Sequence, residues 1–417
     1  MPNRRNALYL VVILSLLGAL GTGRAIFFNI AYVLIAVWLV CAVWAIAAIW
    51  GIAIGRITRS RRSQVGRTFT EQFVVRNTTF LPKLWIEVVD HSELPNHRAS
   101  LVTPAIGAYS AFSWQAETLC TVRGEYRLGP IEIATGDPFG LFQPQRRIDA
   151  TERVVIYPQV FPLETFHMPG GVLSGGEPQR HLTQHVTTNA SSVRDYVPGD
   201  SINRIHWKST ARRSKLIVKE FELDPQVDIW LFVDFSAQSL VEDPFVQRLG
   251  QYGAIIHNGQ GIPRSTEEYA AVIAASLTTH FSEQDRSLGF SAYIPHREVL
   301  QPERGQRQLV RIMESLAVAR SLSQHTLYEM LSLEASSFSR GTTLIIITAS
   351  LDPRWVMQAQ VLTQRGIKPM CVLLDPASFG SPYSGEDFRT RLAALRIPSI
   401  MVKCGDDLTK VLSQRPI

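Results

Sequence analysis

The sequence predicts a multidomain α+β protein: an N-terminal transmembrane helical hairpin, then a small all-β module, then an α/β open-sheet domain. Three observations carry that expectation. Two long uncharged runs open the 417-residue chain, Ala7 to Gly23 and Ala25 to Gly55. A strand-like alternation punctuated by Gly and Pro follows, to about Pro158. From Val227 apolar runs alternate with helical patterns, as in a sheet covered by helices.

The first element follows from charge as much as from hydropathy. The formal net charge is +6, and residues 1–70 hold eight Arg and no Asp, Glu or Lys. The other residues hold 34 basic and 36 acidic side chains, a poor platform for nucleic acid. Arg4 and Arg5 precede the first run. Arg56, Arg59, Arg61, Arg62 and Arg67 follow the second, and only Arg24 lies between. Positive charge stays on the cytoplasmic side, so both termini are expected in the cytoplasm, on the inner or plasma membrane. The hairpin with its basic flanks is assigned to residues 1–62. A 31-residue helix outruns the hydrocarbon core, so part of the second run must tilt or extend into the interface. The arginines near residue 60 can contact anionic headgroups.

Residues 63–158 read as a β-sandwich-like module. Phe69, Phe73 and Val75 alternate with polar residues, Leu84 to Val89 and Val154 to Tyr157 read as strands, and Gly129-Pro130 and Gly136-Asp137-Pro138 mark turns. Residues 159–226 form a linker and a motif-bearing region. Leu173-Ser174-Gly175-Gly176-Glu177 echoes a nucleotide-binding signature, but no phosphate-cradling loop accompanies it. Residues 227–417 give strands at Val227 to Phe235, Leu288 to Ile294, Thr342 to Thr348 and Lys368 to Leu374. Helices are expected at Ser265 to Phe281, Gly305 to Ala319 and Pro353 to Arg365, then a short helix and an edge strand from Phe388 to Val402. Ligands of open sheets sit beyond the C-terminal strand ends.

The four cysteines, Cys41, Cys120, Cys371 and Cys404, lie far apart without zinc spacing, so they read as buried apolar residues of a reducing compartment. No His-Glu-x-x-His and no Gly-x-Ser-x-Gly occurs, and no catalytic residue is assigned. The densest stretch is Arg194 to Glu222, with seven basic and four acidic residues. Pro198-Gly199 suits a turn, Asp200 or Ser201 could cap a short helix toward Ala211, and Leu216 to Phe221 reads as a strand entering the α/β domain. Arg204, Lys208, Arg212 and Arg213 with Trp207 could contact phosphates and bases. The interleaved acids favour an internal network joining two domains.

The motif Arg194-Asp195-Tyr196-x-Pro198-Gly199-Asp200, with Arg204, His206-Trp207-Lys208 and Ala211-Arg212, resembles the signature of the DUF58 family of membrane-associated proteins. Arg123-Gly124-x-Tyr126-x-Leu128-Gly129-Pro130, Asp137-Pro138-Phe139-Gly140-Leu141 and the paired N-terminal apolar runs resemble it too. The resemblance implies a von Willebrand factor A-like domain over 227–417. It also implies a setting beside MoxR-type AAA+ ATPases. Related A domains bind a divalent cation through Asp-x-Ser-x-Ser, and here Asp234 and Ser236 match while Gln238 stands where the second Ser belongs. Ser239 is one place out of register. Thr348-Ala349-Ser350 lacks the expected Asp, and Asp352 lies nearby but shifted. The expectation is no cofactor, with Mg2+ at Asp234 and Ser236 as the alternative. The functional expectation is a membrane-tethered cytoplasmic adaptor or assembly protein with protein partners, plausibly a MoxR-type AAA+ ATPase, and contact with the lipid bilayer. The alternatives are an enzyme acting on envelope precursors and, behind it, a nucleic-acid binder.

Overall fold

The computed structural model describes residues 2–168, 190–195, 206–213, 215–221, 228–242, 261–294 and 296–417. Two helices come first, α1 (Pro2–Thr22) and α2 (Ala25–Ile49), and both are long and apolar enough to cross a membrane. The chain reverses at Gly23, whose φ of 64° suits a residue without a Cβ. Ser15 Oγ donates to the Phe27 carbonyl at 2.8 Å, and Trp38 Nε1 donates to the Tyr9 hydroxyl at 3.2 Å.

The uncharged run to Gly55 is not all helix. α2 stops at Ile49, and residues 52–58, grouped with the hairpin by charge, form β1 (Ile52–Thr58) of the β-module. Every second residue of β1 from Ile52 is the less exposed one, a period-two pattern that the absence of charge conceals. The junction is clamped. Lys83, itself buried, donates from Nζ to the Ala47 and Trp50 carbonyls at 2.7 and 2.9 Å. Its charge thus meets the carbonyl end of α2, where a cation is favoured.

The module continues with β2 (Arg62–Gln64), β3 (Thr68–Asn77), β4 (Ile86–Asp90), β5 (Leu101–Thr103) and β6 (Ala111–Leu119). It ends with β7 (Gly124–Leu128), β8 (Ile131–Ala134), β9 (Gln145–Ile148) and β10 (Glu152–Tyr157). One antiparallel sheet has the order β1-β3-β6 and another β5-β4-β8-β9. Phe73 and Val75 from the first pack with Ile86, Val88, Ile131 and Ile133 from the second. A third sheet, β2-β10-β7, has its own small core around Phe69, Leu128, Val154 and Ile156.

Next come β11 (Ala190–Asp195), α3 (Trp207–Arg213) and β12 (Ile217–Phe221). The strand expected to enter the α/β domain instead pairs antiparallel with β11 in a two-stranded ribbon.

The α/β domain is built from β13 (Ile229–Val233), α4 (Thr266–Glu283), β14 (Leu288–Ile294), β15 (His296–Glu303) and α5 (Gln306–Val318). It goes on with α6 (Leu327–Glu334), β16 (Thr343–Thr348), α7 (Pro353–Gln364), β17 (Lys368–Leu374), α8 (Glu386–Ala394), β18 (Ser399–Val402) and α9 (Leu408–Leu412). Its six-stranded sheet runs β15-β14-β13-β16-β17-β18, parallel except for the antiparallel edge β15. Ile229, Leu231 and Val233 pack with α4 and α5 on one face, and Trp230 and Phe232 with α6 and α7 on the other. β15 and α6 are absent from the sequence reading. β15 is polar and only half covered, and α6 is only eight residues long.

A fully buried guanidinium joins the β-module to this domain. Arg123, in the turn before β7, is 1% exposed. Its Nε donates to both Glu268 oxygens at 3.0 Å and its Nη2 to Glu267 Oε1 at 2.7 Å, on the first turn of α4. Its Nη1 donates to the Leu316 and Ala319 carbonyls at 2.7 and 2.6 Å, at the end of α5. Gly124, at φ 159°, keeps the turn tight, for a Cβ there would meet the Tyr126 ring at 3.1 Å. The segment after β10 adds a second seam. The Phe161 amide donates to Ser276 Oγ at 3.0 Å, and Leu163 and Phe166 join the α/β core.

Removing one partner of a buried, fully bonded ion pair costs about 3–5 kcal/mol. Arg123→Met should therefore lower thermal and urea unfolding midpoints of the detergent-solubilised chain. Arg123→Lys should recover only part, because an ammonium cannot reach all four groups as the planar fork does. Midpoints unchanged in Arg123→Met would remove this pairing from the energetics of the interface.

Candidate functional site at the sheet switch point and the signature ribbon

Asp234 is the first residue past β13, where the chain order of the sheet reverses between β13 and β16. Such a reversal opens a crevice. The Asp234 amide donates to the Ile347 carbonyl at 2.9 Å. Its Oδ1 accepts the Ser236 N–H at 3.0 Å and its Oδ2 accepts the Thr348 hydroxyl at 2.6 Å. Ser236 and Ser239 hydroxyls meet at 3.1 Å, and Ser239 Oγ donates to the Ser236 carbonyl at 3.0 Å. Gln238 is exposed, while Ser239, one place out of register, is the hydroxyl that reaches Ser236. Thr348 Oγ1 in turn accepts the Ser350 N–H at 2.8 Å. Asp352 takes no part: it caps α7 through the Arg354 amide and pairs with the Arg354 guanidinium.

Burial pushes the Asp234 carboxyl above its ordinary value, and the hydrogen bonds from Thr348 and Ser236 oppose this. The donor set does not fit a resident Mg2+. It supplies one carboxylate, and both of its oxygens already accept protein hydrogen bonds. Among the described residues no group of three or more His, Cys, Asp or Glu side chains could hold a metal ion.

The signature residues divide. Arg194 and Asp195 lie on β11, in register with Val218 and Ile217 of β12. Tyr196, Pro198, Gly199, Asp200 and Arg204 lie outside the described residues, as do Leu173 to Glu177. His206 ties α3 to the ribbon: its N–H donates to the Ile217 carbonyl at 2.8 Å, and its Nδ1 lies 2.6 Å from Ser209 Oγ. The Ile217 N–H donates back to Thr210 Oγ1 at 3.0 Å. Trp207, 64% exposed, stands outside this lock with Lys208, Ala211 and Arg212, all exposed.

Sequence reasoning missed a buried polar cluster in the β-module. Arg56 of β1 pairs with Asp90 of β4 and, at 3.4 Å, with Glu71 of β3. His97 Nε2 lies 3.2 Å from Glu71 and 3.1 Å from Asp90, and its Nδ1 lies 2.8 Å from Thr118 Oγ1. Ser92 Oγ donates to Asp90 at 2.5 Å, and Thr58 Oγ1 donates to Glu71 at 3.2 Å. The Arg56 guanidinium also covers the Phe73 ring at 5.0 Å. Burial alone would lower the His97 pKa. The hydrogen bonds and charges of Asp90 and Glu71 outweigh it and raise His97 to about 9. The Asp90 carboxyl is pushed up by burial, but His97, Ser92 and Arg56 hold it below its ordinary value. One signal was readable, for Glu71 occupies an inward position of β3 between Phe69 and Phe73.

Comparison with known proteins bears out the family resemblance. Residues 192–245 match the family model described as "Protein of unknown function DUF58". The chain is 26% identical over 260 residues to "Uncharacterized protein YeaD" of Bacillus subtilis (strain 168), a match covering 59% of this chain and 61% of that relative. Among solved structures, the conserved hypothetical protein BatB of Bacteroides thetaiotaomicron aligns with 14% identity and a TM-score of 0.31, over 45% of this chain and 96% of that one. The CARDB domain of PF1109 from Pyrococcus furiosus aligns with 12% identity and a TM-score of 0.19, over 25% of this chain and 86% of that one.

Two measurements check the site's electrostatics. His97 has a folded pKa above its unfolded value of about 6.5. Its stabilisation is therefore complete below about pH 6.5 and lost as pH rises through about 9, a swing of about 3 kcal/mol. His97→Gln should flatten that alkaline limb in melting curves recorded from pH 6 to 10. The Asp234 pKa is raised as well, but by burial, which favours its uncharged form, so the charged form is a cost as pH rises. Asp234→Asn should melt at or above the wild-type temperature at pH 7, and Asp234→Ala below it. A large loss in Asp234→Asn would mean that the charge itself is needed.

Proposed function

From a chain that carries the DUF58 region, we propose a membrane-tethered cytoplasmic adaptor or assembly protein that works with partner proteins, a MoxR-type AAA+ ATPase foremost. The observation that carries this reading is the outer face of α3. Trp207 is exposed there beside Lys208 and Arg212, while the His206 backbone N–H holds the ribbon and its ring bonds Ser209. An exposed Trp flanked by cations is the composition from which interface anchors are made. Among the described residues, the polar groups that would suit catalysis are otherwise engaged or exposed, which favours the binding reading. Asp234 and His97 are both spent on internal bonds, and Arg212 faces solvent.

Two further features support the same picture. Counted along the chain, the sheet order of the α/β domain is 3-2-1-4-5-6 with an antiparallel edge, which favours a von Willebrand factor A-like reading. The two apolar helices favour a tether spanning the inner or plasma membrane. Arg4 and Arg5 at one end and the Arg56 to Arg67 group at the other favour cytoplasmic termini.

Lys208 makes the test direct. Amine-reactive crosslinking in native membranes, read by mass spectrometry, should join Lys208 to an AAA+ ATPase. The crosslink should vanish when Trp207→Ser and Arg212→Glu are introduced together, while the melting temperature stays unchanged. A wild-type chain that yields no protein crosslink through α3 sinks the adaptor reading.

A further inference from the structure

The turn between β8 and β9 is built around one carboxylate. Asp137 accepts the Phe139 N–H at Oδ2 (2.9 Å) and the Phe142 N–H at Oδ1 (2.6 Å), and its carbonyl accepts the Gly140 N–H at 3.1 Å. Asp137 is buried, so its charge is spent inside the turn. Gly140, at φ 69°, completes the reversal, and a Cβ there would come within 3.2 Å of Arg4 Nη1. The result is a rigid loop whose side chains are apolar from Pro138 to Phe142.

That loop climbs the side of the helical hairpin. The Phe142 ring meets the Trp38 ring edge-on at 5.9 Å. At 1.5 Å per residue, Trp38 lies about 16 Å back along α2 from its end at Ile49. Gly140 to Gln145 line a cavity of about 560 Å³ with Arg5, Ala42, Ala45 and Ile46. Cys41, Ala45 and Ala48 fall on one stripe of α2 and are buried, Ala45 against this loop.

Phe139 at the tip is 64% exposed although its backbone is pinned, and among the described residues none covers it. Two more exposed aromatic rings lie near the end of α2. Trp50 follows α2 and is 67% exposed, and Phe80, 72% exposed, sits in the loop whose Thr79 packs against Gly51. Arg4 and Arg5 supply positive charge beside the loop, and Arg147 does so on β9. Exposed apolar rings with cations near them match the boundary between acyl chains and anionic headgroups.

We propose that the Asp137–Phe142 loop is a third membrane element, which inserts Phe139 into the lipid leaflet beside the hairpin. The proposal rests on the membrane-tether reading and goes beyond it: the β-module is seated in the bilayer surface and does not merely hang from it.

The full chain in nanodiscs of phosphatidylethanolamine and phosphatidylglycerol provides the test. The photo-crosslinking residue p-benzoylphenylalanine is placed singly at position 139, at 17 in α1 or at 333 in α6, all exposed positions. Lipid adducts at 17 and 139 and none at 333 are expected. An adduct at 17 without one at 139 overturns the insertion and leaves the tether standing. An adduct at 139 no stronger than at 333, or a protein adduct at 139 in place of lipid, also overturns it. No adduct at 17 or 139 overturns the tether reading and the insertion with it.

Discussion

A guanidinium buried between two folded bodies must find a full set of acceptors, and this constraint organises the part of the chain that follows the hairpin. Arg123 leaves the β-module and finds two carboxylates on the first turn of α4 and two carbonyls at the end of α5. The acids sit at a helix start and the cation at a helix end, so both helix dipoles favour the arrangement. Because five donors radiate from one plane, the relative position of α4, α5 and the turn before β7 is set within narrow limits. The motif around Arg123 reads accordingly: Gly124 permits the turn, and Tyr126 donates its hydroxyl to the Val122 carbonyl behind it.

A second buried cation does similar service at the other end of the module. Lys83 takes the last carbonyls of α2, and burial lowers its pKa from the ordinary lysine value. Arg56 lies a few residues further along the same strand path and is neutralised by Glu71 and Asp90, two carboxylates that it shares with the His97 ring. Such clusters add little net stability compared with an apolar core of equal volume, but they punish any mispairing of strands. The register of β1 against β3 is therefore held by charge as well as by the pleat, with Arg56 opposite Phe73 and Thr58 opposite Glu71.

Much of the α/β domain is legible in the sequence, and the reason is burial. Lys368–Leu374 and Thr343–Thr348 are strands covered on both faces, and such strands show as apolar runs with sharp ends. β15 fails that test because an edge strand keeps polar residues along its length. α6 carried a readable start, the reciprocal Thr326 and Glu329 cap, though its body is short. At the candidate site the sequence shows Asp234 and Ser236 but not which hydroxyl completes the set. A tight turn places Ser239 inward and Gln238 outward, and spacing alone does not reveal that. The buried Arg56 cluster is less legible still, because Arg56, Glu71, Asp90 and His97 are 7 to 41 residues apart and meet only when two sheets pack together.

The seating of α2 has a mechanical side. Its carbonyl end is gripped by Lys83, its next strand is stitched into the β-module, and that module grips α5 through Arg123. Among the described residues this route holds no long flexible spacer: two residues separate α2 from β1, and two helix ends are each bound to a cation. A push on α5 is therefore passed to the helix with little slack. The hairpin and the α/β domain are thus joined through two cation-bound helix ends and one strand.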